Sequence, residues 1–146
     1  MNKFLEMNKI TYNNFEISSE IFTLSTEEII KFASMYDPMF FHMDKHKAEE
    51  SIFKELVASG MHSVCIILQK IDQITPWKIA TGLEHTVKYF KPVKPSIKYF
   101  VQAKVVEESK WKNPKYSHLK MENSLRNENN EIVVLLNTSF LIYSKF

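Results

Sequence analysis

The sequence predicts an α+β domain in which an antiparallel sheet wraps around one long central helix. Three observations predict it: helical patterning confined to the first half of the chain, a nearly unbroken apolar run after Gly60, and long alternating segments in the second half. With 146 residues the chain fits a single core, since one domain commonly holds roughly 100–150 residues. Hydrophobic residues make up 45% of it and aromatic residues 13%, a composition that supports a packed interior.

Residues 1–14 are expected to form a flexible tail and 15–146 the domain. Phe15–Leu24 reads as a short edge strand. Ser25-Thr26-Glu27-Glu28 then offers a capping box, with Ser25 as N-cap and Glu28 reaching back to it. The helix it opens carries Ile29, Ile30, Phe32, Ala33, Met35 and Tyr36. Pro38 ends that helix, because the residue before a proline is pushed out of the α region, and this leaves Asp37 at the break. From Pro38 to Ser59 the pattern is irregular with short helical turns, and Asp44 serves as N-cap for Lys45–Glu50. Connections this long in a small domain are more often functional than ornamental.

Gly60 opens the run Met61–Ile71, which is apolar at helical spacing and between those positions, as expected of a buried helix covered on most sides. Pro76 closes the segment. After Gly82 the chain reads as strand: Glu84–Lys91, Ile97–Glu107, Tyr116–Arg126 and Ile132–Tyr143. Asn127-Glu128-Asn129-Asn130 forms a hairpin turn whose asparagines tolerate positive φ.

Several function classes are disfavoured. Nineteen basic against seventeen acidic side chains, spread along the chain, give no preference for nucleic acid. No segment reaches the ~18 apolar residues of a membrane span, and the N-terminus lacks a signal-peptide pattern, so a cytoplasmic protein with no membrane partner is expected. One cysteine, Cys65, excludes an internal disulfide and a cysteine-built zinc site. On an apolar helix face it reads as a small core hydrophobe. His42 and His46 flank Asp44 at a spacing that suits a metal, but no further ligands gather near them and no metal is expected. His62 reads as a polar helix-start residue, and His85 and His118 as ordinary sheet positions. Lys88, Lys91, Lys94 and Lys98 read either as a solvated strand edge or as an attractor for phosphates.

Polar groups and unusual backbone coincide in Tyr36-Asp37-Pro38-Met39-Phe40-Phe41-His42-Met43-Asp44 and in Leu56-Val57-Ala58-Ser59-Gly60-Met61-His62. On a continuous helix five residues turn about 140°, which would separate Asp37 from His42. Pro38 breaks the helix and lets carboxylate and imidazole converge on one water. Met39, Phe40, Phe41 and Met43 supply an apolar wall that perturbs both groups. Gly60, one of only two glycines, starts a helix whose free N–H groups favour developing negative charge, and implies close backbone approach. Hydrating a conjugated thioester needs such a base, acid and oxyanion donor.

These strings, with Ser51-Ile52-Phe53 and the strand-ending Phe90-Lys91-Pro92-Val93-Lys94-Pro95, resemble the MaoC-like dehydratases and R-specific enoyl-CoA hydratases. The resemblance runs from about Phe15 to Phe146. It implies a hot-dog homodimer of fatty-acid metabolism in which Asp37 and His42 activate water for addition across a trans-2-enoyl thioester. It puts the thioester oxygen near the Gly60 N–H, with Ser59, Met61 and Phe53 helping to bind substrate. Coenzyme A or an acyl carrier protein carries the acyl group, and no separate cofactor is implied. The sequence departs from that pattern at Ser59, where many hydratases have histidine, at Cys65, where they have serine, and at Lys54-Glu55. Two alternatives stand beside it. One is a hot-dog thioesterase, which generally needs a carboxylate on or near the central helix, where none precedes Asp72. The other is a non-catalytic acyl-thioester binding protein.

Overall fold

The computed structural model describes residues 11–144. In chain order they form strand β1 (Glu16–Ser18), helix α1 (Thr26–Tyr36), the one-turn helix α2 (Phe40–Met43), a 3-10 turn (Lys47–Glu50) and helix α3 (Gly60–Ile74). Four long strands follow: β2 (Ile79–Tyr89), β3 (Tyr99–Lys110), β4 (Tyr116–Asn127) and β5 (Ile132–Tyr143). The sheet order is β1-β3-β4-β5-β2, antiparallel throughout.

Strand alternation determines where the core lies. Val101, Ala103 and Val105 of β3, Leu119, Met121 and Leu125 of β4, and Val134, Leu136, Phe140 and Ile142 of β5 are buried. Within each strand they fall two or four residues apart and so share one face. Helix α3 lies against this sheet and contributes Ile67 and Ile71, both fully buried. A polar pair interrupts the apolar face: Asn123 Nδ2 donates to Thr138 Oγ1 at 3.1 Å and to the Leu136 carbonyl at 3.1 Å.

The local signals act as the sequence implies. Ser25 Oγ accepts from the Glu28 N–H at 3.1 Å, and Glu28 Oε2 accepts from the Ser25 N–H at 2.7 Å. Asp44 Oδ1 accepts from the N–H groups of His46 and Lys47, both at 2.9 Å, and these bonds hold the Asp44 carboxyl below its usual pKa. The hairpin after β4 closes with Asn130 at φ 60°.

Some expectations need correction. The strand expected over Phe15–Leu24 shrinks to β1 plus a single bridge from Phe22 to Tyr99, because only Glu16–Ser18 keeps register with β3. β2 begins at Ile79, ahead of Gly82, and the register shifts between Ile79 and Thr81 and between Gly82 and Glu84 bend it. Cys65 is exposed rather than part of the core. The sheet and α1 cover most of α3, but Met61, Cys65, Gln69 and Asp72 form a stripe at helical spacing that points outward. The tail expected over 1–14 lies mostly outside the described residues. At its end Tyr12 packs edge-on to Trp77, with ring centroids 4.8 Å apart, and its N–H donates to Glu108 Oε2 at 2.6 Å. Among the described residues no helix is long and apolar enough to cross a membrane.

Candidate active site

Asp37 is the C-cap of α1. Its N–H donates to the Ala33 carbonyl at 2.9 Å, and its backbone has left the α region at φ −155°, ψ 70°, as a residue before proline does. The chain then turns at once into α2, where the Asp37 carbonyl accepts from the Met39 N–H at 2.8 Å and the Met39 carbonyl from the His42 N–H at 2.9 Å. This tight reversal brings His42 back beside Asp37, with Nε2 3.5 Å from Asp37 Oδ2. The separation is too long for a strong direct hydrogen bond and suits one water bonded to both.

Each partner is held from a second side. His42 Nδ1 lies 2.6 Å from the Val57 carbonyl oxygen. A carbonyl only accepts, so Nδ1 carries a proton, and Nε2 is the nitrogen that faces Asp37. Asp37 Oδ2 accepts a hydrogen bond from Ser59 Oγ at 2.7 Å. Segment Leu56–Ser59, which supplies both restraints, is buried and pinned in turn: the Val57 N–H donates to Phe41 and the Ala58 N–H to Val93. The imidazole is 8% exposed and the carboxylate 29%, so the pair meets solvent chiefly on the acid's side.

Ser59 occupies the N-cap position of α3, yet it makes no side-chain cap. A serine there ordinarily accepts from an N–H of the first turn. Here its hydroxyl is turned to Asp37 instead, and the α3 N-terminus keeps donors without a side-chain acceptor.

Beside this end of α3 opens a cleft of about 330 Å³, lined among others by Phe41, His42, Phe53, Gly60, Ser63 and Tyr89. Phe41 stands edge-on to His42 at 4.4 Å and packs on Phe53 at 5.4 Å. Of the apolar wall expected around the pair, Phe41 alone lines the cleft; Met39 and Phe40 are exposed, and Phe53 takes their place. The structure therefore brings Asp37, His42, Ser59, Gly60 and Phe53 to one place. Met61 is not among the residues lining the cleft; it is 57% exposed on the outward stripe of α3.

Tyr89, at the C-terminal end of β2, is the participant that sequence reasoning missed. A Cβ built on Gly60 would fall 2.6 Å from Tyr89 Cζ and 2.8 Å from its hydroxyl oxygen. The close approach implied by Gly60 is thus made by a phenol, and Gly60 needs no positive φ. Burial and then the charge of Asp37 push the Tyr89 pKa above its ordinary value. The only sequence signal for Tyr89 was the glycine that accommodates it.

The remaining candidates fall elsewhere. The His46 side chain is 92% exposed, 3.8 Å from Glu49, and far less enclosed than His42. No group of three potential metal ligands occurs among the described residues. Of the lysines Lys88, Lys91, Lys94 and Lys98, only Lys91 lines the cleft, and three are tied to acids: Lys91 to Glu131, Lys94 to Glu55 at 2.6 Å and Lys98 to Glu128 at 3.8 Å. His62 lies under Phe32, stacked at 4.4 Å, on the side of α3 that meets α1.

Comparison with known proteins follows from this geometry. A family model described as MaoC like domain matches residues 11–126. Among curated proteins, the uncharacterized protein YdeM of Bacillus subtilis (strain 168) is 29% identical over 118 residues, which cover 79% of this chain and 74% of that protein. Solved structures share the fold, two of them as follows. The MaoC-like dehydratase from Rhodospirillum rubrum is 21% identical with a TM-score of 0.81, over 91% of this chain and 93% of that one. The unliganded R-hydratase PhaJ1 from Pseudomonas aeruginosa is 24% identical with a TM-score of 0.74, over 91% and 83%.

Proposed function

Since the chain belongs to the MaoC-like family, we propose that it adds water to, or removes it from, a trans-2-enoyl thioester, with Asp37 and His42 as the acid-base pair. The observation that carries this reading is the 3.5 Å pairing of Asp37 Oδ2 with a His42 whose Nδ1 is committed to the Val57 carbonyl, at the edge of an apolar cleft. Substrate water donates one proton to each acceptor and turns its lone pair to C3. As its oxygen bonds C3, one proton passes to the pair and the π electrons move through C2 onto the carbonyl oxygen. The pair then returns that proton to C2, the other stays on the new hydroxyl, and dehydration is the reverse.

The carbonyl oxygen gathers negative charge in this step. The uncapped N-terminus of α3 suits it, with the Gly60 N–H as donor and Ser59 orienting the acid. Phe53 and Phe41 face the acyl part. The reaction so read takes coenzyme A as part of its substrate and needs no other cofactor, which suits a cytoplasmic enzyme of acyl-thioester metabolism. A homodimer completes the reading. β2 is an edge strand of 11 residues, none of them buried, and Met61 and Leu83 lie exposed on α3 and β2.

The test is incubation with crotonyl-CoA and a longer enoyl-CoA, following loss of the conjugated double bond together with release of free thiol. The double bond is expected to disappear without thiol release. Asp37→Asn and His42→Gln should each lower kcat by about 10³-fold with the fold intact, the scale of a lost general acid or base. Thiol release would instead identify hydrolysis, and wild-type activity retained by both variants would end the acid-base assignment.

A further inference from the structure

The uncapped end of α3 is faced by a side chain whose ring alone would satisfy packing. Tyr89 is the last residue of β2, paired with Val134, and the chain is fixed just beyond it where the Phe90 and Lys91 N–H groups both donate to the Val133 carbonyl, at 2.9 and 3.2 Å. This backbone position places the ring over Gly60, so near that a Cβ there would meet it unless the ring moved. Tyr89 shares the cleft with His42 and Ser63, and its hydroxyl has no hydrogen-bond partner among the described residues. A phenylalanine would fill the same space. What calls for a role is the oxygen, 2.8 Å from where a Gly60 Cβ would stand.

We propose that Tyr89 is a catalytic residue whose hydroxyl donates a hydrogen bond to the thioester carbonyl oxygen docked at the start of α3, sharing with the Gly60 N–H the charge that builds there. This rests on the hydratase reading of the same cleft. Two donors converging from different elements, a helix N–H and a strand side chain, fix the oxygen in direction as well as charge. A phenol's ordinary pKa of about 10 keeps Tyr89 protonated over the physiological range, and burial and then the Asp37 carboxylate oppose its ionisation further. The hydroxyl can therefore donate without transferring its proton, and the acid-base work stays with Asp37 and His42.

Tyr89→Phe keeps the ring and removes only the oxygen. With an enoyl-CoA that the wild type hydrates, it should lower kcat about 10²-fold and change KM less than about threefold, the pattern of a bond made mainly in the transition state. A second variant does not depend on the folding of the first. 3-Fluorotyrosine at position 89 preserves shape and makes the phenol more acidic, so the alkaline limb of kcat should move to lower pH. If Tyr89→Phe retains kcat within about twofold, or the fluorinated protein keeps the wild-type alkaline limb, Tyr89 only packs and the proposal is wrong. If the wild type hydrates no enoyl thioester, the hydratase reading fails, and that result is distinct because it appears before any variant is made.

Discussion

Ser59 illustrates how a single residue can serve the site by not doing what its position favours. It stands where a serine caps a helix, but its hydroxyl holds the Asp37 carboxylate at 2.7 Å, so one substitution site governs both the acid and the availability of the α3 donors. His62 is a second residue-scale case. It is buried, stacked on Phe32, and its Nδ1 has no hydrogen-bond partner among the described residues. Burial pushes its pKa below the ordinary 6.5, with Glu28 opposing part of that effect. Between 6.5 and the lower folded value the unfolded chain binds more protons, so stability is level at neutral pH and falls as pH drops below about 6.5. Denaturant unfolding at pH 7.5, 6.0 and 5.0 should show this decline, and His62→Phe, which keeps the stack, should flatten it. An equal slope in the variant would assign the acid sensitivity elsewhere.

At the scale of elements, α1, α2 and α3 meet where each begins or ends, and the site consists of those ends. α1 ends at Asp37 because of Pro38, α2 returns His42 to it, and α3 starts at Gly60 under the ring of Tyr89. Gly60→Ala tests that last contact. Alanine is the better helix former by about 1 kcal/mol, and Tyr89 is half exposed and can swing outward, so the thermal midpoint should hold. The displaced phenol should nevertheless reduce kcat more than tenfold. Unchanged turnover in Gly60→Ala would mean that the close approach of Tyr89 has no part in the reaction.

For the whole molecule the open edge of the sheet is the dominant feature. Among the described residues β2 has one long side unpaired, and Leu83 on it is 47% exposed. Such edges are covered by pairing or marked by charge. Sedimentation should therefore find at least twice the 17.2 kDa chain mass, and Leu83→Lys should move the population toward the monomer. A wild type that sediments as a monomer at all concentrations would remove the dimer from the reading.

The sequence by itself determined what neighbouring residues decide between themselves. The capping box at Ser25, the stop at Pro38, the Asn130 turn and the alternation of β3, β4 and β5 are interactions within a few positions, so their chemistry can be read in the string. Asp37 and His42 were legible for the same reason, being five apart across a proline. Only the tertiary structure decided that the Ser59 hydroxyl turns to Asp37, that Cys65 and Met61 face outward, and that Tyr89 closes on Gly60. These depend on where the bend of β2 carries its last residue and on which side of α3 the sheet and α1 cover. No local pattern encodes either, because the distances are fixed by packing between segments far apart in the chain.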